Sequence, residues 1–179
     1  MSASRERLLD LLKPTARESV HPGAPKPSKF SETDLWKAFE GYLVALGGRI
    51  ISREELDGFL AQRCFIEPAA ATVLGISPID DDVWDVAVGV SFADLAIAET
   101  GTLVCSAGEG KRRMSSLAPP VNVMVIAKKA IVATMTDAIP LIPATTSVLV
   151  TGPSRTADIE GILVKGVHGP GELLVYVYE

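Results

Sequence analysis

The sequence predicts an α/β sandwich built on a largely parallel central sheet, and three observations carry that expectation. Short Val/Ile/Leu-rich runs alternate with segments of helical periodicity, the order that produces parallel strands joined by helices. Residues 121–127 form a near-continuous apolar run, the mark of a strand buried on both faces. Two polar clusters, 98–104 and 151–160, each abut such a run, as loops do where they leave strand ends.

Taken in order, residues 4–13 carry Leu8, Leu9, Leu11 and Leu12 as an apolar stripe and predict a short helix that Pro14 ends. Pro22, Pro25 and Pro27 make residues 15–29 an extended arm. Helix and arm together occupy 1–30, where they would pack on the chain's own body or on a neighbouring subunit and so support an oligomer. The compact domain spans 31–179. Trp36, Phe39, Leu43 and Leu46 recur at helical spacing until Gly47-Gly48 stops the pattern. Residues 49–51 read as a strand. Ser52 with Glu55 then fits a capping box that opens a helix to about Gln62, and 64–66 is another short strand. Beyond the Pro- and Asp-rich stretch 78–82, residues 83–91 read as a strand, 93–98 as a short helix or turn, and 101–106 as the next strand. After 121–127 come a short helix at 134–139, a strand at 147–150, a short helix at 156–162 and a last strand at 173–177. No internal repeat is present.

At 179 residues the chain fits one domain able to bury about two-thirds of its unfolded surface. A formal net charge of −5 argues against a nucleic-acid partner, which requires a basic face. The densest basic group, Lys111-Arg112-Arg113, with Lys128-Lys129 beyond it, suits a local anion site only. No apolar run approaches the roughly 18 residues that span a bilayer, and the charged residues 1–7 precede no signal-peptide core. A cytoplasmic protein without membrane contact is expected. Cys64 and Cys105 are expected to be buried free thiols, with a single disulfide as the alternative. Two Cys and two His (His21 and His168) without a C-x-x-C fall short of the usual four ligands of a zinc or iron–sulfur site, so no metal or cofactor is expected on the chain.

Ligands of open α/β sheets lie outside the carboxyl ends of the strands, which directs attention to the two polar clusters. In Glu99-Thr100-Gly101-Thr102 the glycine permits a tight turn or a close backbone approach. Glu99 is open to two readings: a nucleophile or general base, or an acceptor of backbone N–H groups that holds the turn. The second cluster is Thr151-Gly152-Pro153-Ser154-Arg155-Thr156-Ala157-Asp158-Ile159-Glu160. Its Ser, Thr and Asp are good N-caps, so a capped helix after a glycine turn is one reading. The other is an anion site in which Gly152, Ser154, Arg155, Thr156, Asp158 and Glu160, together with Thr100, Gly101 and Thr102 of the first cluster, surround a phosphate or carboxylate. Residues 108–113 form a basic loop, either solvated or closing on an acidic ligand through its arginines. Neither a P-loop nor a dinucleotide fingerprint is present. His168 is either a proton-transfer group or the partner of a loop carbonyl. Trp36 and Trp84 read as core or interface residues.

The ordered combination Ile97-Ala98-Glu99-Thr100-Gly101-Thr102, Leu117-Ala118-Pro119-Pro120-Val121, Thr151 to Glu160 and Gly166-Val167-His168-Gly169-Pro170 resembles the LUD-domain family (DUF162, lactate-utilisation protein C type). The resemblance covers 31–179. It implies a fold like that of the NagB/RpiA/CoA-transferase superfamily, a three-layer αβα arrangement around a mostly parallel central sheet. It also implies a part in oxidising L-lactate to pyruvate beside partner proteins that carry iron–sulfur clusters. Since this chain lacks the cysteines for those clusters, a non-redox subunit or accessory role that binds a small anionic ligand is the expectation. Two alternatives stand beside it. One is a stand-alone acyl/CoA or phospho-substrate enzyme, with Glu99 as nucleophile or base and Ser154, Arg155 and Thr156 holding the anion; Glu99-Thr100-Gly101 has the Glu-x-Gly shape used by some CoA transferases. The other is a ligand-sensing regulatory module. Relatives often have His where this chain has Asn122, which forms hydrogen bonds but does not titrate near neutral pH.

Overall fold

Trp36, Phe39 and Leu43 share one face of α1 (Glu32–Ala45), and Gly47, at φ +90°, lets the chain turn away beyond its end. The computed structural model describes residues 32–157 and 162–179. The expected helix at 4–13, the arm at 15–29, Asp158 and Glu160 lie outside those residues. After β1 (Arg49–Ile50), the Ser52 hydroxyl accepts from the Glu55 amide at 3.1 Å while the Glu55 carboxylate accepts from the Ser52 amide at 2.8 Å, which fixes the start of α2 (Arg53–Leu60). The chain then forms β2 (Cys64–Ile66) and α3 (Pro68–Leu74). The sequence reading passed over α3, although Pro68 at its first turn and Gly75 in the left-handed cap at φ +69° bracket it as proline and glycine usually do.

Three longer strands complete the central sheet: β3 (Val88–Phe92), β6 (Val121–Ala127) and β11 (Glu172–Tyr178). The strand order is β1-β11-β6-β3-β2, and all four pairings are parallel. Along β6 the side chains alternate between two cores. Val123 and Val125 join Leu56 of α2 and Ala70, Ala71 and Leu74 of α3 on one face. Met124 and Ile126 join Phe39 and Leu43 of α1 on the other, together with Ala96, Leu103 and Cys105 from a second sheet. This is why 121–127 is apolar at nearly every position. The expected α/β fold with a mostly parallel central sheet and flanking helices is present.

The second sheet is a correction to the reading of individual elements. It comprises β4 (Leu95–Ile97), β5 (Thr102–Ser106), β7 (Ile131–Val132) and β8 (Ser147–Val150), in the order β7-β4-β5-β8. The β4–β5 and β5–β8 pairings are antiparallel. Residues 93–98 are therefore not a helix or turn: Leu95 and Ile97 pack with Val104 and Ala138 on one face, while Ala96 and Ala98 face the main core. Small residues there let the two sheets approach. Residues 83–87 precede β3 rather than belonging to it; the Trp84 amide donates to the Asp82 carboxylate at 3.0 Å, an Asx-type turn. Of the helix expected at 156–162, residues 158–161 lie outside the described residues; at its start, Arg155–Thr156 is instead strand β9, antiparallel to β10 (Val164–Lys165). The expected short helix at 134–139 is α4 (Met135–Ala138), with its own capping box from Thr134 and Asp137. Among the described residues no helix is long and apolar enough to cross a membrane.

Both cysteines are free and buried. Burial, the larger cause, and nearby carboxylates push both thiols above their ordinary range. A disulfide reagent in native buffer at pH 8 is accordingly expected to titrate neither thiol within minutes, and both after denaturation. Rapid native labelling of one thiol would show that its burial is transient.

Candidate functional site

The two polar clusters meet on the C-terminal half of α1. Thr102, 2% exposed at the start of β5, shares hydrogen bonds of 2.8 Å with Thr100 and with Thr151, so one hydroxyl chain joins the clusters. Their glycines serve the same junction. A Cβ on Gly101, which sits at φ +62°, would lie 2.5 Å from the Leu43 amide nitrogen and 2.8 Å from the Tyr42 carbonyl carbon. One on Gly152, at φ +85°, would lie 2.9 Å from the Leu46 carbonyl oxygen. Arg155 donates from its guanidinium to that same Leu46 oxygen, capping a carbonyl at the end of α1.

Glu99, half-buried after β4, accepts a 2.7 Å hydrogen bond from the Met135 amide in the first turn of α4. This is the contact that the turn-holding reading of Glu99 requires. Glu99→Gln retains an acceptor and is expected to leave the denaturant midpoint nearly unchanged. Glu99→Ala should cost about 1 kcal/mol, the usual loss for a cap; no loss on truncation would show that the contact does not hold α4.

A cavity of about 190 Å³ opens beside this junction, lined among others by Asn122, Gly152, Ser154, His168, Pro170 and Leu173. Three loops enclose it and bond to one another through their backbones. The Ser154 amide donates to the Pro170 carbonyl at 2.8 Å, the Gly166 amide to the Ser154 carbonyl at 3.0 Å, and the Gly171 amide to the Pro120 carbonyl at 2.9 Å. Asn122 and Leu173 are second residues of β6 and β11, so the cavity lies at the amino ends of the parallel strands. That is opposite to the carboxyl-end crevice expected for such a sheet. Both polar clusters do follow strand ends, but the strands are β4 and β8 of the second sheet. Of the sequence-selected residues, Gly152 and Ser154 line the cavity, while Thr100, Gly101 and Thr102 support Thr151 at its edge. Glu99 faces α4 instead, and Arg155 and Thr156 are committed to β9.

Asn122 is 1% exposed, an amide inside an otherwise apolar strand. Its Nδ2 lies 3.1 Å from the Gly89 carbonyl oxygen, 2.8 Å from the Ser91 hydroxyl and 3.2 Å from the Ser115 carbonyl oxygen. Two of these groups can only accept, which fixes the amide nitrogen toward them. Oδ1 then points away. It is the buried side-chain polar atom left without a partner among the described residues.

Glu67, at the carboxyl end of β2, escaped the sequence reading; its signal was an acidic residue between an apolar strand and a proline-led helix. It is 2% exposed and accepts from the Phe92 amide, from the Arg112 amide at 3.0 Å and from the Ser115 hydroxyl at 3.1 Å. Burial pushes its carboxyl above the usual range, against the opposing pull of those donors and of Lys111. Through Ser115, Glu67 reaches the turn whose carbonyl oxygen meets Asn122. The basic loop is tied down as well: Lys111 pairs with Asp94, and Arg112 reaches Asp80 at 2.7 Å. Among the described residues no group of three or more His, Cys, Asp or Glu is placed to hold a metal ion.

Comparison with known proteins places these loops in context. The LUD domain family model matches residues 69–178. Lactate utilization protein C of Geobacillus sp. (strain WCH70) is 44% identical over 93 residues, which are 46% of this chain and 38% of that protein. The same-named protein of Macrococcus caseolyticus (strain JCSC5402) is 42% identical over 92 residues, covering 46% and 40%. That of Bacillus licheniformis is 40% identical over 101 residues, covering 51% and 42%. The chain thus spans about two-fifths of the length of these curated relatives. A DUF162 family protein from Deinococcus radiodurans, solved at 1.70 Å, superposes with a TM-score of 0.61 over 83% of this chain and 98% of its own, at 22% identity, and so shares the fold.

Proposed function

The chain belongs to the LUD domain family, and from that premise we propose that it serves L-lactate utilisation as a non-redox subunit or accessory protein, holding a small anionic ligand in the cavity beside Asn122. The observation that supports this reading is the convergence on one cavity of residues from three of the motif segments (those at 117–121, 151–160 and 166–170), with Asn122 directly after the first. The cavity's volume of about 190 Å³ lies below the roughly 300–1,000 Å³ of pockets for drug-sized ligands, which suits a short-chain acid rather than a nucleotide or CoA. The Ser154 hydroxyl and the His168 imidazole offer donors to a carboxylate, and Leu173 supplies an apolar wall. Electron transfer would belong to cytoplasmic iron–sulfur partner proteins.

The test is affinity capture of the full chain from cells grown on lactate, with iron content and lactate oxidation measured in the eluate. The expected eluate carries an iron-containing oxidoreductase. An iron-free eluate, together with unchanged growth on lactate after deletion of the gene, would overturn the reading.

A further inference from the structure

We propose that Asn122 makes the cavity selective for a 2-hydroxy acid over the corresponding 2-oxo acid; the inference rests on the ligand-binding reading above and deepens it. A buried acceptor without a donor is costly, so it persists where something regularly supplies a hydrogen. Asn122 Oδ1 is such an acceptor in a residue that lines the cavity. Its orientation is not free to adjust. The Gly89 and Ser115 carbonyl oxygens hold Nδ2 toward themselves, and turning the amide over would set oxygen against two carbonyl oxygens.

A ligand that satisfies Oδ1 must therefore donate. The C2 hydroxyl of a 2-hydroxy acid donates a hydrogen bond, while the C2 carbonyl of a 2-oxo acid presents only lone pairs and leaves Oδ1 both unpaired and repelled. The remaining walls suit the rest of a short acid. Leu173 and Pro153 receive an aliphatic C3 group, and the Ser154 hydroxyl and His168 imidazole meet the carboxylate. Discrimination comes from the penalty of an unpaired buried group, which corresponds to about ten- to hundred-fold in affinity. The site would thus retain L-lactate and release pyruvate, holding the substrate side of the couple.

Calorimetric titration of the full chain with L-lactate, pyruvate and propionate tests this. Propionate matches lactate in shape but lacks the oxygen at C2. L-lactate is expected to bind at least ten-fold more tightly than either competitor. Asn122→Leu should lower lactate affinity to the propionate level while leaving propionate binding in place. Ser154→Ala should weaken all three acids and keep their order. Pyruvate binding as tightly as lactate, or a lactate preference that survives in Asn122→Leu, would overturn the inference. Should Asn122→Leu fail to fold, the order of the three acids on the native chain decides. A chain that binds none of them yet still captures iron–sulfur proteins overturns the inference and leaves the accessory role standing. A lactate preference without captured partners does the reverse.

Discussion

Glu67→Ala is expected to lower the unfolding free energy by about 3 kcal/mol and to weaken ligand binding in the cavity at the same time. The carboxylate is the shared acceptor of the Phe92 and Arg112 amides and of the Ser115 hydroxyl. Truncation strands donors in a buried setting, each at about 1–3 kcal/mol, with water able to reach the Arg112 side. The second effect runs through Ser115, whose carbonyl oxygen helps fix the Asn122 amide. Glu67→Gln should fall between the native chain and the alanine variant, because its amide nitrogen would face the Arg112 amide without a lone pair to offer.

The same residue sets a pH dependence. Ser115 has one hydroxyl hydrogen and two acceptors, Glu67 and the Arg112 carbonyl oxygen at 2.6 Å. A proton on Glu67 lets the carboxyl donate to Ser115 while Ser115 keeps its hydrogen on Arg112. Burial, which disfavours the charged form, outweighs the pull of the Phe92, Arg112 and Ser115 donors, so the folded chain holds this proton more tightly than the unfolded chain. Glu67's contribution to stability is complete below the ordinary carboxyl value and is lost as the pH rises through the raised one. Urea midpoints of the native chain and of Glu67→Gln, compared from pH 4 to 8, should draw apart below neutrality. Parallel curves would mean that Glu67 holds its proton equally in the folded and unfolded chains.

Gly101→Ala is expected to be at least as damaging, at about 2–4 kcal/mol. A left-handed backbone costs an L-residue roughly 1 kcal/mol, and the added carbon would lie within 2.8 Å of backbone atoms of Tyr42 and Leu43. Backbone of a packed helix yields only by moving the helix, a further 1–3 kcal/mol. Thermal melts read this directly. Gly58→Ala is the control, since nothing lies within 4 Å of its added carbon. Equal melting temperatures for the two variants would refute the close approach.

Much of this architecture is written in local patterns. The α2 capping box, the buried run of β6 and the proline- and glycine-bracketed α3 each carry their own signal, although the last went unread. The division into two sheets does not, because Leu95-Ala96-Ile97 is a strand only by virtue of what β5 and the main core place on either side of it. The polar clusters were found, but the assignment of their roles needed three dimensions. Gly101 and Gly152 answer to α1, Glu99 to α4 and Arg155 to a helix carbonyl. What surrounds the cavity is set by contacts between separate loops, such as that of Gly171 with Pro120, which no spacing within one motif reveals. Asn122 stood out in the sequence as a departure from its relatives, and its unpaired oxygen is visible only beside Gly89 and Ser115.

The strand order β1-β11-β6-β3-β2 has a consequence for biosynthesis. Among the described residues β1 is joined to the sheet only through β11, so Arg49 and Ile50 must wait for Leu174 and Val175, more than 120 residues later, before they can pair. Until the ribosome has released that stretch, the nascent chain holds β6 as an open, largely apolar edge. Slow closure of this kind exposes a segment able to pair with other chains. Recombinant yield should therefore rise when translation is slowed by cooling or when a chaperone that shields extended apolar segments is supplied.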